Sequence, residues 1–326
     1  MLGSEKRLFI DVDNLESQLA RLDKGIAVTH GHFETSSAID VRDLDWNHMD
    51  PNHRPFIHHT YGKAVRICTG PDFQISLTKY GRLPFLLPVA DIRIRPGLFY
   101  QCFSVFSLVS IVAVLRTTER PHGADQRIDW FIVSKRIWKF LHPWLNAKMA
   151  KLNRVQNDED RPLRQRRYDL RQLGFRFKSD EPDFVISSSL AWHVLPPPLE
   201  REYDIDLHQA HAAEALQKFD AGPLTFVYSF DSTGALHIWP EACPHEGGPL
   251  SQSLTKSANG CLTCPWHGLE IRSVKLTAER SQAHCQGALL TLDGTRLKIS
   301  PVPASPPPVA AADPPRLVSD SAAIDS

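Results

Sequence analysis

The sequence predicts an α+β chain: a sheet-and-helix unit over residues 1–195, an all-β unit over 196–303 and a tail over 304–326. Three observations predict it. Between 71 and 135 the segments DFQISLTKYG, PFLLPVADIRIRPG, LFYQCFSVFSLVSIVAVLRTTE and QRIDWFIVS are β-branched and aromatic, and the basic, amphipathic run KRIWKFLHPWLNAKMAKLNRVQ follows them. Pro196, Pro197 and Pro198 form a stiff connector. Beyond it PLTFVYSF, GALHIWP, GCLTC, GALLTL and TRLKIS are short strand-like runs separated by DSTG and DG turn signals.

Residues 98–115 are almost long enough and apolar enough to span a bilayer. Gln101, Ser104, Ser107 and Ser110 interrupt them and β-branched residues fill them, so buried strands of a closed sheet are expected. The basic run after residue 134, broken by Pro143, is expected to start the long helix that packs on this sheet; it is also the stretch suited to a membrane surface. Residues 207–222, LHQAHAAEALQKFDAG, read as an inserted helix ending at Gly222, with His208 and His211 solvated. The Pro/Ala/Ser-rich tail has too few large apolar residues to pack.

At 326 residues and 42% hydrophobic content the chain can hold two cored domains. Lys+Arg and Asp+Glu both total 37, so no global charge directs it to nucleic acid or membrane. The opening MLGSEKRLFI has no secretion-signal pattern, and thiols that need no pairing fit a reducing, cytoplasmic compartment.

Residues 243–245 read Cys-Pro-His and residues 264–267 read Cys-Pro-Trp-His. Two thiolates and two imidazoles at this spacing could hold one tetrahedral zinc. Zinc gives no reason for Gly247, Gly248 and Gly268, which let backbone crowd a bulky ligand. In a Rieske [2Fe–2S] centre one iron takes two Cys and the other two His, each loop giving one ligand to each iron. The paired motif resembles the Rieske family, which implies Cys243, His245, Cys264 and His267 as cluster ligands. Respiratory-type members carry an extra Cys in each loop, joined as a disulfide. Here Gly248 and the plain CPWHG run stand instead, so the resemblance is to the ferredoxin and oxygenase branch. Cys68, Cys102, Cys261 and Cys285 lie outside the motif; Cys261 and Cys264 make a CxxC look-alike, in which Cys261 reads as a half-buried strand residue.

A cluster moves one electron and needs an acceptor. In residues 45–59, DWNHMDPNHRPFIHH, the positions Asn47, Asp50, His53 and His58 are spaced N-x2-D-x2-H-x4-H. Two imidazoles and a carboxylate on one face of a metal leave positions open for oxygen and substrate, as in non-haem Fe(II) oxygenases. His53 and His58 cannot share a face of a straight helix, since five residues turn it by about 500°. Pro51 and Pro55 supply the break: Asp50 can cap a turn that Pro51 begins, and Pro55 can bend the chain so that His58 swings back.

This stretch is similar to the mononuclear-iron motif of the Rieske non-haem iron oxygenases, especially the branch with pheophorbide a oxygenase, dicamba monooxygenase and the steroid hydroxylases. The resemblance implies a helix-grip (START/Bet v1-like) catalytic domain, with His53 and His58 as iron ligands and Asn47 near the iron without binding it. It implies that Asp50 hydrogen-bonds a ligand His and a Rieske His of a neighbouring subunit. The third ligand in the family is a carboxylate on the long C-terminal helix of the catalytic domain, often in an ED pair. By that pattern Asp160 is the candidate, with Glu159 and Asp158 behind it; NDEDRP also reads as a capping cluster at a helix start. His48 and His59 flank the motif out of spacing, and His30 and His32 are expected ahead of the first strand without a role. Arg161, Arg164, Arg166, Arg167 and Arg171 are expected on a solvated face, which would also suit docking of an acidic ferredoxin.

The chain departs from the family in three ways. Its iron motif precedes its cluster motif, the reverse of the usual order, which unsettles the electron-crossing trimer that the family implies. Glu246 stands where Arg often follows the first cluster His, and is expected to disfavour the reduced cluster and to alter reductase docking. The catalytic domain is short, so its apolar, substrate-enclosing cavity is expected to be more open.

Two functions follow. One is an oxygenase that takes electrons from an external reductase or ferredoxin, since no nicotinamide or flavin fingerprint is present. It would activate O2 at Fe(II) and hydroxylate, demethylate or desaturate an apolar or aromatic substrate. The alternative is a Rieske electron-transfer protein whose helix-grip domain binds a lipid or other hydrophobic ligand without chemistry; a zinc-stapled binding module requires the cluster assignment to fail.

Overall fold

The structure, a computed structural model, describes residues 24–302 apart from 59–60, 81–85, 106–107, 182–183, 185–192, 208–215, 254 and 257–259, together with 17, 18 and 21. The first strand, β1 (Ile26–Ser37), is followed by the helix α1 (Val41–Met49) and the short helix α2 (Arg54–Ile57). Six strands come next: β2 (Tyr61–Thr69), β3 (Phe73–Tyr80), β4 (Leu87–Arg95), β5 (Leu98–Val105), β6 (Val109–Arg120) and β7 (Gly123–Lys135). They form one seven-stranded sheet in the order β1-β7-β6-β5-β4-β3-β2, every neighbouring pair antiparallel. The helix α3 (His142–Gln172) packs across β1 and β7. A curved antiparallel sheet closed by its first strand around one long helix is the helix-grip arrangement.

Local chemistry explains these elements. The stretch 98–115 is the β5–β6 hairpin, paired from Leu98↔Arg116 to Val105↔Val109, and Val109, Ile111, Ala113 and Leu115 turn inward with the period of two that a half-buried strand requires. No helix among the described residues is long and apolar enough to cross a membrane. Pro143 does not break α3; it sits in the first turn, where its missing N–H has no intrahelical partner to lose. The helix then runs for 31 residues, about 46 Å at 1.5 Å per residue, through Pro162. His30 and His32 lie within β1 rather than ahead of it, and His30 Nε2 is 2.9 Å from Asp129 Oδ1 on the paired strand.

A two-stranded pair, β8 (Arg176–Phe177) with β9 (Val194–Leu195), leads into the all-β unit. Its strands are β10 (Tyr203–Asp206), β11 (Gln217–Ala221), β12 (Leu224–Phe230), β13 (Leu236–Pro240), β14 (Cys261–Thr263), β15 (Glu270–Arg272), β16 (Val274–Leu276), β17 (Gln282–Cys285), β18 (Ala288–Asp293) and β19 (Arg296–Pro301). They make two four-stranded sheets, β10-β19-β18-β17 and β11-β12-β13-β16, and the hairpin β14–β15. The helix expected over 207–222 is corrected at its C-terminal end: residues 217–221 are β11, paired with β12. Phe219 and Ala221 alternate inward against exposed Lys218 and Asp220, so the period of two outweighs the helix-favouring composition. His208 and His211 lie outside the described residues, as do His59 and the tail.

One apolar cluster joins the two units. It runs from Trp46 and Met49 on α1 through Trp130 on β7 and Met149 and Leu163 on α3 to Val227, Trp239, Leu250 and Trp266 beside the Cys-His loops. Within α1, Asp45 is buried and its carboxylate accepts the Gly97 N–H at 3.1 Å. Burial raises its pKa from the ordinary 3.8 to about 7, against the opposing Gly97 hydrogen bond and Arg93 charge. A folded-state pKa above the unfolded one gives stability that is complete below about pH 4 and lost as pH rises through 7. Asp45→Asn, which keeps an acceptor for Gly97, is therefore expected to raise the urea midpoint at pH 8 and to leave it nearly unchanged at pH 4. Equal shifts at both pH values would count against a raised Asp45 pKa.

Candidate metal centres

The chain between α1 and β2 makes two tight turns. The Asp50 side chain caps the turn Pro51–His53, accepting from Asn52 N at 3.0 Å, and α2 then carries the chain to His58, which is extended at φ −91° and ψ 112°. The imidazoles of His53 and His58 come to 5.5 Å between ring centroids. From α3 Asp160 reaches both: its Oδ1 is 3.5 Å from His53 Nε2 and 3.2 Å from His58 Nε2. All three residues are buried, and their ligand atoms lie within 4.8 Å of one another.

Residues 158–160 are in the middle of α3, so they cap no helix start. Helix phase separates their roles: Asp158 is exposed, Glu159 Oε2 is 2.9 Å from His58 Nδ1, and Asp160 meets both Nε2 atoms. Asn47 Nδ2 is 3.4 Å from His53 Nε2. Burial would raise the Asp160 carboxyl, but the two imidazoles of His53 and His58 that face it outweigh this and hold the group well below the usual carboxylate range. His53 Nδ1 and Asp160 Oδ1 have no hydrogen-bond partner of good geometry. Two imidazole nitrogens and an ionised, unsatisfied carboxylate oxygen converging in a buried site fit a divalent metal, with Glu159 orienting His58 from behind.

A cavity of about 50 Å³ adjoins this site, lined by Asn47, His48, Gln101, Asn153 and Gln156 among others, with Ala113, Leu115 and Ile128 from the sheet. Its walls are mixed, with core side chains of β6 and β7 on one side and polar side chains of α1 and α3 on the other. His48 belongs to this wall. Burial lowers its pKa to about 4, leaving it neutral, and its Nε2 is 2.9 Å from Gln126 Nε2.

The second cluster of donors lies on two loops. Cys243 and His245 follow β13; Cys264 and His267 lie between β14 and β15. All four are buried, the two thiols are in hydrogen-bonding contact, and the imidazoles are 4.7 Å apart at 82°. The Nδ1 atoms of both histidines lack a partner. Backbone N–H groups of His245 and Glu246 face the Cys243 sulfur, and that of Trp266 faces Cys264. A Cβ on Gly248 would come 2.7 Å from Cys264 Sγ, so only glycine fits there. Two sulfurs, two free Nδ1 atoms and inward amides fit a [2Fe–2S] cluster, with Cys243 and Cys264 on one iron and His245 and His267 on the other.

Asp50 stands between the two groups. Its Oδ2 is 2.6 Å from His267 Nε2 and 3.7 Å from His53 Nδ1, with no exposed surface. The contact expected from a neighbouring subunit is therefore made within one chain. Burial would raise Asp50, but the charge and hydrogen bond of His267, helped by His53, hold it well below the usual range.

Two further expectations are corrected. Glu246 meets no docking partner: it is fully buried, 2.5 Å from Arg167 Nη1 and 3.1 Å from His193 Nδ1, so its charge is compensated. Of the five arginines only Arg161 is fully exposed; Arg164 and Arg167 are buried, and Arg166 and Arg171 are half-buried, because this face of α3 meets α1 and the cluster loop. Asp43 and His193 escaped the sequence reading, and Arg167 was placed there on a solvated face. Periodicity held a partial signal, since Asp160 and Arg167 are two turns apart on α3 and Asp43 and Asn47 one turn apart on α1. His193 had none.

Residues 204–290 match the family model described as the Rieske [2Fe-2S] domain, so the all-β unit is a Rieske domain, the kind that binds a [2Fe–2S] cluster and moves electrons. No curated protein matches the chain. Similar solved structures include the di-domain ARO/CYC BexL of the BE-7585A biosynthetic pathway, at 9% identity, TM-score 0.37, and coverage of 44% of this chain and 51% of that one. Others are a truncated norcoclaurine synthase from Thalictrum flavum (12%, 0.33, 41% and 94%) and the Zhui aromatase/cyclase from Streptomyces sp. R1128 (14%, 0.32, 42% and 97%). The chain spans about half the length of the two di-domain structures it resembles.

Glu159→Gln keeps the shape of the His58 contact but removes the charge behind it. The expected outcome is a ~10–100-fold loss in divalent-metal affinity at the triad, with the cluster absorption unchanged. Co(II) titration followed by its visible spectrum measures it, and unaltered affinity would remove Glu159 from the site.

Proposed function

We propose that the protein is a Rieske-type oxygenase component. The observation that carries the reading is the buried Asp50 carboxylate, hydrogen-bonded to His267 and facing His53. Cys243, His245, Cys264 and His267 would hold the [2Fe–2S] cluster, and His53, His58 and Asp160 an Fe(II). When bound, these groups supply single electrons and a site for O2 activation, respectively. The residues do the rest. Asp50 fixes the His267 ring and presents its second lone-pair side to His53, giving a short polar bridge between the centres. Glu159 fixes the His58 tautomer by accepting from Nδ1, which leaves Nε2 as the donor atom. Asn47 lines the cavity without taking a ligand position, and burial of all three triad residues keeps bulk water from the reacting atoms.

The substrate is an apolar or aromatic molecule that is hydroxylated, demethylated or desaturated. A cavity of about 50 Å³ admits only a small group or one end of it, with the polar wall meeting a heteroatom near the metal. Electrons come from a separate ferredoxin or reductase. A larger cavity of about 400 Å³ between α3 and the cluster loops, lined by Arg166, Leu170, Lys218, Pro249 and Trp266 among others, gives such a donor an approach beside the cysteine ligands.

Anaerobically purified protein is expected to contain about three irons and two acid-labile sulfides per chain and to give a Rieske EPR signal on reduction. Cys243→Ser should lose the sulfide and the signal. His53→Ala should keep both and lose reductant-dependent O2 uptake, and Asp50→Asn should keep both metals while slowing re-oxidation of the cluster by O2. Two irons only, with added Fe(II) failing to bind, would overturn the oxygenase reading in favour of electron transfer alone. Zinc without sulfide would end both.

A further inference from the structure

The three most exposed large apolar side chains among the described residues sit close together where β7 runs into α3: Ile137 at 71%, Phe140 at 70% and Trp144 at 60%. The connecting chain is a 3-10 helix, Arg136–Leu141, with about three residues per turn, so Ile137 and Phe140 share one face and Arg136 and Lys139 the next. The inward side is fixed. His142 is buried, its Nδ1 2.8 Å from Thr29 Oγ1 and its Nε2 2.8 Å from Ser134 Oγ, while Leu141 and Leu145 pack on the core. The outward side chains are therefore held on a rigid platform whose own packing does not use them. Exposed Leu108, in the turn between β5 and β6, lies at the same end of the sheet, since the neighbouring Val109 pairs with Ser134.

Positive charge surrounds these apolar tips. Lys135, Arg136, Lys139, Lys148 and Lys151 are exposed, and no Asp or Glu occurs from 135 to 157. None of these five cations forms a salt bridge among the described residues. Lys148 Nζ instead lies 5.9 Å from the Trp144 ring centre, one turn along α3. In a chain whose Lys+Arg and Asp+Glu both total 37, this is a local excess of cations around an apolar patch.

That combination selects its partner. A nucleic acid would neutralise the cations and leave the three apolar tips in water. A second copy of this chain would cover the tips but set like charges against each other, because a two-fold interface joins one patch to itself. An anionic bilayer meets both demands: its acidic headgroups take the cations, and the boundary between headgroups and acyl chains takes aliphatic and aromatic side chains.

We propose that this face docks the protein on an anionic phospholipid surface, with the Ile137, Phe140 and Trp144 side chains entering the headgroup–acyl boundary and the surrounding cations meeting the headgroups. The docking is peripheral, and it stands whether or not the oxygenase reading does.

The test uses the full-length protein and vesicles of phosphatidylcholine, alone or with phosphatidylserine added, with cosedimentation as the measure of binding. The protein is expected to bind the vesicles that contain phosphatidylserine, less tightly as salt rises. Lys135→Gln and Lys139→Gln should each weaken binding ~5-fold, and Phe140→Ser ~10-fold, with the far-UV circular dichroism unchanged. Brominated lipid should quench tryptophan fluorescence in the wild type and less in Trp144→Phe, which keeps an apolar ring at the site. Equal binding to both kinds of vesicle, or an affinity untouched by these substitutions, would overturn the proposal, and equal quenching in Trp144→Phe would overturn the placement of Trp144 in the boundary. Failure of the full-length chain to bind anionic vesicles would overturn it too; self-association that Phe140→Ser abolishes would then assign the patch to a second copy.

Discussion

The bond between His267 and Asp50 joins residues 217 apart in sequence across 2.6 Å, with both side chains buried. Desolvating an ionised carboxylate costs several kcal/mol, so such a contact persists only where a partner and a rigid frame offset the loss. The partner is an imidazole. In the metal-free chain burial lowers the His267 pKa, but the charge and hydrogen bond of Asp50, with a contribution from Cys264, outweigh this and push it up to about 10. His245 in the other loop has Glu246 close by, but burial together with the His267 charge outweighs it and pushes the ring down to about 4. The two cluster histidines are thus electrostatically unlike. Only one of them is tied to the iron motif.

The frame explains how the Cys-His loops come to lie beside the turn that carries His53 and His58. The chain leaving α3 passes through β8 and β9, and the backbone N–H groups of His193 and Val194 both donate to the Pro244 carbonyl, between Cys243 and His245. The connector is therefore fastened to the cluster loop itself and does not act as a free tether. Opposite it, Trp46 of α1 lies 5.7 Å from Trp266 of the second loop, which places an apolar wall beside the polar bridge. Removing one member of a buried ion pair costs roughly 3–5 kcal/mol, whereas a surface pair is worth about 0–1. The Asp43–Arg167–Glu246 chain is of the first kind, since none of its side chains has exposed surface.

Legibility in the sequence followed how local each feature is. The cluster loops and the His53–His58 turn were readable because their donors lie within a few residues of one another and their Pro and Gly neighbours fix the backbone. Strands β3 to β7 were readable by alternation, even where hydropathy alone suggested a membrane span, whereas β1 and β2 were not read. Asp160 was only partly readable: three consecutive acids carry no phase until the helix that bears them is known to continue through Pro162. The arginines of α3 were misread because charge was taken for exposure. The Gln217–Ala221 strand was misread because composition was weighed above pairing. For Arg167 the deciding partner, Asp43, lies far along the chain and local propensity carries no trace of it; for Phe219 the partner, Phe226, lies just across a tight hairpin, and the alternation of Phe219 and Ala221 was there to be read.

The cavity wall shows what such distant partners do for chemistry. Asp91 on β4 is buried and collects Arg54 Nη2 at 3.1 Å, Gln74 Nε2 at 3.0 Å and Gln101 Nε2 at 2.7 Å. Arg54 and Gln101 both line the space beside His53 and His58, so one carboxylate holds two polar walls in fixed orientation. Donors committed to Asp91 cannot swing to follow a ligand without leaving a buried charge unpaired, which is costly. The opposite wall, Ala113, Leu115 and Ile128, is apolar and belongs to the rigid sheet core. A molecule that fits must therefore bring its polar atom to a preset position while its apolar part lies against the sheet. The placement of a bound molecule is then set by wall geometry rather than by the size of a flexible pocket.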